Sequence, residues 1–367
     1  MNSSIAEINT KSLSYNYNSI RRKTKTKVMA IVKADAYGHG MIECVKVLER
    51  EKNSPEYYGV ALLQEAIELR KSKVTEKPIL CFAPINIEQI QNYKNFIPTI
   101  TSEKQIEDLQ KVKINLKLKV HVNINTGMNR LGIRFENAVE NIIKLLGNRK
   151  IIIDGIYTHF ASSDEKNKNF ANLQLSRFTK IVNELKQYKI NYGLAHTANS
   201  GAILDMPNSY FDMVRPGISL YGYFPSLETS ESIKLKPVMS IKSKISNIME
   251  IEKGDTVGYG QLYKAKNKML IGTLPFGYAD GLFRGLSNKI KVICGKNLSA
   301  QLGRISMDRI SIELSSKSKL NDEVILLGKK NKLEIYAWDW SKLLNTIPYE
   351  ITCAISKRVP RIYIEKD

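Results

Sequence analysis

The sequence predicts an α/β fold: a (β/α)8 TIM-type barrel followed by a mostly-β C-terminal domain. Three observations predict it. Short apolar runs alternate with helix-period segments eight times within about 230 residues, the count and size of such a barrel. After Pro237 the texture changes to short, β-branched runs broken by Gly and Asn-Asp turns. Residues able to do chemistry recur where the strands of the first part end, as a barrel demands of its functional residues. A doubly wound sheet would read similarly from the alternation alone. The expected division is 1–236 for the barrel and 237–367 for the β domain.

The elements come in order along the chain. The apolar run Val28–Val32 opens the barrel, and Ile42, Val45, Leu48 and Arg50 mark the helix period after it. Further strands are expected at Tyr58–Ala61, Ile79–Phe82, Ile97–Ile100, Leu116–Val122, Ile151–Tyr157, Tyr192–Ala195 and Met213–Arg215. Phe178, Val182 and Leu185 mark another amphipathic helix. Beyond Pro237, "VMSIKSKISNIMEIEKGDTVGYG", "KMLIGTLPFGYADG", "KIKVICGKNLSAQLGRISMDRISIEL" and "NDEVILLGKK" read as strands joined by tight turns.

Composition narrows the classes of function. The formal charge is +20, but the lysines are spread through the chain instead of gathered into a stripe with interleaved aromatics. That sets nucleic-acid binding aside, while a basic surface helps an anionic substrate or cofactor approach. The start "MNSSIAEINTK" shows no secretory pattern, and no apolar run is long enough to span a bilayer. Cys44, Cys81, Cys294 and Cys353 are scattered, without the spacing of a disulfide framework or a zinc site. A soluble cytoplasmic protein with no metal is expected.

The strand ends carry the chemistry. Lys33 ends the first strand, "NTGMNRLG" with Arg130 follows the fifth, and "THFASSD" with His159 follows the sixth. "HTANSGA" with Ser200 follows the seventh and "VRPGISLYG" with Arg215 the eighth. Lys33 is either a lysine that snorkels to the surface or one whose amine is desolvated and available to a carbonyl cofactor. Gly38 and Gly40 behind it let backbone approach a ligand. "HTANSG" and "VRPGI" supply hydroxyl and backbone N–H donors where barrels bind phosphate, although each alone is also an ordinary turn. His159 alone fits a structural histidine. Arg215, between Val214 and Pro216, needs an acceptor such as a ring nitrogen or carboxylate. In the second domain Tyr259, Tyr278 and Met307 sit in Gly-rich turns that composition alone would assign to packing.

Taken together, "AIVKADAYGHG", "GMNRLG", "YTHFASSD", "HTANS", "VRPGISLYG", "GYGQLY", "PFGYADGL" and "PYEITCAISKRVPRIY" resemble the alanine racemase family of fold-type III pyridoxal-phosphate (PLP) enzymes. The resemblance covers nearly the whole chain and implies residue roles. Lys33 would hold PLP through a Schiff base and act as one catalytic base. Tyr259 would be the other, reaching the opposite face of the substrate from the partner subunit of a homodimer. Tyr37, Ser200, Gly217, Ile218 and Tyr349 would hold the phosphate, Arg215 the pyridine nitrogen and Arg130 the phenolic oxygen. His159 would link Tyr259 and Arg215. Arg130 and the Met307 backbone N–H would meet the substrate, and Tyr278 would guard the entrance.

The implied activity is interconversion of L- and D-alanine, supplying D-alanine for peptidoglycan. Two bases on opposite faces suit removal and return of one proton, and an arginine at the ring nitrogen weakens the electron sink and suppresses transamination. Alternatives are a broader serine/alanine racemase, a PLP decarboxylase and a non-catalytic PLP-binding barrel; the last lacks a second domain with a Tyr259. One departure stands out. The family often has Lys-x-Asp-Thr-Gly-Met where this chain reads "NINTGM", so Asn123 has no amine to carbamylate. Its amide, with a bound anion or water, is expected to orient Arg130.

Overall fold

Strands buried on both faces need no polar alternation, and the first part of the chain is built from such strands. The structure is a computed structural model describing residues 4–84, 95–111 and 117–366. The chain packs as two units. One comprises residues 14–36 and 41–235; the other comprises residues up to Leu13, Tyr37–Gly40 and the chain from Lys236.

The chain starts with β1 (Ile5–Asn9) and α1 (Thr10–Thr24). The barrel then runs β2 (Lys27–Ile31), α2 (Lys33–Tyr37), α3 (Met41–Glu49), β3 (Tyr57–Val60), α4 (Leu63–Lys71), β4 (Ile79–Cys81), β5 (Phe96–Ile100) and α5 (Glu103–Lys111). It continues through β6 (Leu118–Asn125), the short β7 (Ile133–Arg134), α6 (Ala138–Leu146), β8 (Ile151–Tyr157), α7 (Asn169–Gln187), β9 (Leu194–His196), α8 (Ser200–Asp205) and β10 (Met213–Val214). The parallel sheet has the order β10-β2-β3-β4-β5-β6-β8-β9, with β7 beside β6. Between β9 and β10 there is no ladder, but Asp212 N–H donates to Ala195 O at 3.0 Å and Arg215 N–H to Ala198 O at 2.8 Å. The barrel is thus nearly closed. Each of the eight expected strands is present within a few residues; Leu116, the expected start of β6, lies outside the described residues.

The helices follow their apolar stripes. In α6, Ala138, Ile142 and Leu145 share one face and are buried; in α7, Ala171, Phe178, Val182 and Leu185 do the same. They cover a core that includes Val120, Val122, Ile124, Ile153 and Ile156 of the strands. In β8, pairing with β6 slips between Val120/Ile153 and His121/Gly155. Asp154 is the extra residue of this bulge, which re-aims its side chain.

The second unit is a sheet of β11 (Met239–Lys244), β12 (Asn247–Ile251), β15 (Met269–Leu274), β16 (Lys291–Cys294), β17 (Asn297–Leu302), β18 (Ile310–Leu314), β19 (Glu323–Lys330), β20 (Leu333–Ile335) and β21 (Arg361–Ile364), with β1. A separate pair, β13 (Thr256–Val257) and β14 (Tyr263–Lys264), brackets the Tyr259 turn. Two helices, α9 (Ala337–Leu344) and α10 (Pro348–Ala354), pack on each other. Here the structure differs from the contiguous division at 236/237. β1 pairs antiparallel with β11 and parallel with β21, so backbone hydrogen bonding and not chain order assigns the first strand to the β unit. Among the described residues no helix is long and apolar enough to cross a membrane.

Candidate active site

Lys33 follows β2, whose end is fixed by two bonds: Ile31 N–H donates to Pro216 O at 3.1 Å, and Tyr221 O–H to Ile31 O at 2.9 Å. The strand that delivers Lys33 is therefore tied to the loop carrying Arg215. Lys33 is half-buried, less enclosed than its apolar approach predicts. Immediately after it, Ala34, Asp35, Ala36 and Tyr37 have φ of 52–55°, a left-handed turn made without glycine. Such geometry costs roughly 1–2 kcal/mol per residue, and side chains hold it. Glu65 accepts the Ala34 N–H at 2.6 Å with one oxygen, and the Ala61 and Leu62 N–H groups at 2.8 and 3.0 Å with the other. The Asp35 carboxylate accepts the Met41 N–H at 2.7 Å.

Arg215 is 3% exposed, so its guanidinium must find acceptors inside the protein. Nη1 donates to His196 Nδ1 at 2.7 Å and His196 O at 2.9 Å; Nη2 donates to Thr158 O at 2.7 Å and Thr197 O at 3.0 Å. His159 Nδ1 stands 3.4 Å from Nη2 as a weaker third acceptor. A guanidinium has five N–H donors. The fifth, on Nε, has no partner among the described residues. The Arg215 group also lies over the Tyr157 ring, 5.2 Å from its centroid. Burial lowers its pKa to about 10, which leaves it cationic at neutral pH. His159 is pushed down to about 3, by burial first and then by the positive charges of Arg215, Arg130 and Lys33. One histidine thus feels three of the residues singled out from sequence, which places them in one region of the barrel.

The two small-residue loops also meet. Ser200 Oγ accepts the Gly217 N–H at 3.0 Å, the Ser219 N–H at 3.4 Å and the Ser219 hydroxyl at 3.0 Å, so Ser200 and the Gly217–Ser219 backbone meet in one patch. The Asn199 side chain caps α8 by accepting the Ala202 N–H at 3.1 Å. Arg130 is exposed on the loop after β6. Asn125 organises that loop: its Oδ1 accepts the Gly127 and Asn129 N–H groups, and its Nδ2 donates to Asn129 Oδ1 at 3.0 Å. The Asn123 amide makes no side-chain hydrogen bond among the described residues.

The β unit holds the remaining residues. The Tyr37 and Tyr349 rings lie 5.8 Å apart at 49°, and burial raises the Tyr37 pKa. Tyr278 N–H donates to Ser306 O, and Ala279 N–H to Met307 O, each at 3.0 Å. That pairing puts Tyr278 beside Met307; they are 43% and 52% exposed. Tyr259 is 72% exposed, on a turn whose Gly260 lies against the Arg304 guanidinium.

Four residues of this region were not singled out by sequence. His196 and His121 are fully buried, with His196 Nε2 2.9 Å from His121 Nδ1. Asp154 accepts the Tyr57 hydroxyl at 2.7 Å and pairs with Lys119 at 2.8 Å. Gln174 of α7 is fully buried, donates to His159 O at 3.0 Å and accepts the Ala161 N–H at 2.9 Å, fixing the loop after β8. The signal was a polar residue inside an apolar strand, His121 in "LKVHVNIN" and Asp154 in "IIIDGIY". Buried polar groups require partners.

The chain is similar to known proteins over nearly its whole length. Residues 8–225 match the family described as alanine racemase, N-terminal domain, and residues 238–363 the one described as alanine racemase, C-terminal domain. The alanine racemase of Clostridium tetani is 40% identical over 369 residues, covering 98% of this chain and 95% of its own length. The solved alanine racemase of Clostridium difficile 630 is 36% identical with a TM-score of 0.92, covering 100% of this chain and 97% of that one. The histidine racemase of Leuconostoc mesenteroides is 25% identical with a TM-score of 0.90, covering 99% of this chain and 98% of that one.

Proposed function

Because the chain belongs to the alanine racemase family, we propose that it interconverts L- and D-alanine with pyridoxal 5'-phosphate, using Lys33 and Tyr259 as bases on opposite faces of the substrate. The observation that carries this reading is Arg215, a buried guanidinium with four donors committed to the protein and no partner for its Nε–H among the described residues. A guanidinium hydrogen-bonds a ring nitrogen without giving up its proton.

The residues present fit the cofactor. The Arg215 Nε–H suits the pyridine nitrogen, the patch at Ser200, Gly217 and Ile218 suits a phosphate, and the Lys33 amine suits the carbonyl. Tyr37 and Tyr349 are assigned to the phosphate and Arg130 to the phenolic oxygen by family resemblance. The bound cofactor supplies an electron sink for the substrate Cα–H bond. Lys33 Nζ takes or returns the proton on one face and Tyr259 Oη on the other. His159 stays neutral beside three cations and so accepts from Arg215 instead of competing with it. The Met307 backbone N–H holds the substrate carboxylate, and Tyr278 borders the entrance.

We assign the product to peptidoglycan synthesis, the location to the cytoplasm and the working form to a homodimer in which Tyr259 serves the partner subunit. The exposure of Tyr259 supports that last assignment, since a catalytic base needs a site from which water is excluded. A second reading, a racemase of broader specificity, is favoured by the histidine racemase that shares this fold.

The test is purified protein loaded with pyridoxal phosphate and assayed for both directions of alanine, with serine and histidine as competitors. Alanine turnover should exceed the others, and Lys33→Ala should abolish it. Full turnover by Lys33→Ala would remove the mechanism; equal rates on larger amino acids would favour the second reading.

A further inference from the structure

From Arg215 a string of polar groups runs down through the barrel to the end where the strands begin. Arg215 Nη1 meets His196 Nδ1 at 2.7 Å, and His196 Nε2 meets His121 Nδ1 at 2.9 Å. His121 Nε2 lies 3.6 Å from Asp154 Oδ2, just beyond hydrogen-bond range, and has no closer partner among the described residues. Asp154 also takes the Tyr57 hydroxyl, and Lys119, whose side chain is 55% exposed, meets its other oxygen. His196 ends β9, His121 and Lys119 lie in the first half of β6, and Tyr57 begins β3, so the string descends from the strand ends to the strand starts.

Elementary chemistry fixes where the protons are. Arginine only donates, so His196 Nδ1 must accept and the His196 proton is on Nε2. That proton points at His121 Nδ1, which must in turn accept, leaving the His121 proton on Nε2 facing a carboxylate. Both rings are neutral, because a doubly protonated ring would turn an N–H against a donor. Burial, with Arg215 nearby, pushes both histidines down in the same sense. Gly155 keeps the string open: a Cβ there would lie 2.6 Å from His121 Cε1.

We propose that Asp154, His121 and His196 are positioning residues for Arg215, a one-way string of acceptors that locks the His196 tautomer and so leaves Nε–H as the guanidinium's uncommitted donor. Without an acceptor at position 154, the His121 Nε2–H is buried with no carboxylate to face, which weakens the preference for that form. Its Nδ1–H form would face the His196 Nε2–H, and His196 would have to shift its proton to Nδ1, against Arg215. The guanidinium would then turn away and present a different edge to the ring nitrogen. The consequence for the cofactor rests on the racemase reading; the proton positions do not.

The test uses cofactor-loaded protein carrying 15N-histidine, with resonances assigned through His121→Gln and His196→Gln. Both rings should show a bare Nδ1 and a protonated Nε2 between pH 6 and 8. Asp154→Leu should redistribute those protons and raise the Kd of the apoprotein for pyridoxal phosphate by about tenfold, the scale of one lost hydrogen bond to a charged group. Asp154→Asn, which keeps an acceptor oxygen, should retain the wild-type spectrum and stay within about threefold. Protonation of either wild-type ring at Nδ1 would overturn the proposal, even if the leucine variant fails to fold. So would a folded Asp154→Leu with unchanged spectrum and Kd, or an asparagine variant as impaired as the leucine one. The expected tautomers in a protein that does not racemise alanine would sink the racemase reading alone.

Discussion

Histidine is the residue whose proton is least secure near neutral pH, and this barrel keeps three of its histidines neutral by surrounding them with cations and apolar walls. His159 is the clearest case, held at about 3 by burial and by Arg215, Arg130 and Lys33. An unfolded histidine takes up a proton near pH 6.5. Between about 6.5 and 3 the unfolded chain therefore binds protons that the folded chain refuses, and stability must fall as pH falls through that window. Denaturant midpoints measured at pH 7 and pH 5 should show a lower value at pH 5, and His159→Gln should flatten the slope. An unchanged midpoint would mean that the barrel hydrates or re-pairs these rings. The same scale shows what could be read from sequence. Lys33, His159 and Arg215 were legible because each ends a strand, where side chains converge. His121 and Asp154 were not, since their role depends on a bulge in β8 that slips the register by one residue. No period-2 pattern announces such a slip.

The element that departs furthest from expectation is α2. The glycines behind Lys33 read as room for a ligand, yet Gly38 and Gly40 accommodate the protein itself: a Cβ at either would collide with Thr352 O or with the Tyr363 hydroxyl. The strained residues are instead Ala34 to Tyr37, of which only Asp35 is of a type that visits left-handed geometry. Tertiary contacts with Glu65 and Asp35 override local preference, so sequence alone could not display it. The exposed Ala34 gives a clean test. Ala34→Gly relieves strain of roughly 1–2 kcal/mol but adds about 0.4–1 kcal/mol of unfolded-state freedom. Stability should therefore be unchanged or raised by up to about 1.6 kcal/mol. Ala34→Val, branched where φ is positive, should lose at least about 1 kcal/mol. Chemical denaturation decides both; a valine variant as stable as the parent would show that α2 relaxes to a right-handed form. The eight barrel strands, by contrast, were legible because parallel strands buried on both faces read as plain apolar runs.

At the scale of the molecule, the chain shows Tyr259, Met307 and Tyr278 to solvent. If the partner subunit supplies Tyr259, two inactive proteins should repair each other. Lys33→Ala and Tyr259→Phe, mixed and allowed to exchange subunits, would form heterodimers with one site carrying both defects and one carrying neither. Random pairing restores about a quarter of all sites. Activity that stays at the level of the separate variants would place Lys33 and Tyr259 of one chain in the same site. The sequence disclosed these residues through resemblance alone, since an exposed tyrosine in a β turn has no local mark of function.

The pairing of β1 with β11 and β21 bears on how the protein comes into being. Order of synthesis and order of folding part company at the first strand. The segment Ile5–Asn9 leaves the ribosome well before its partners, Met239–Lys244 and Arg361–Ile364. At about 5–20 residues per second, more than ten seconds of translation separate them. The whole eight-stranded sheet of the barrel can assemble in that interval while the leading strand waits, tethered and unpaired. Glu7 and Asn9 interrupt the apolar Ile5, Ala6 and Ile8, a composition suited to waiting in water without seeking another chain.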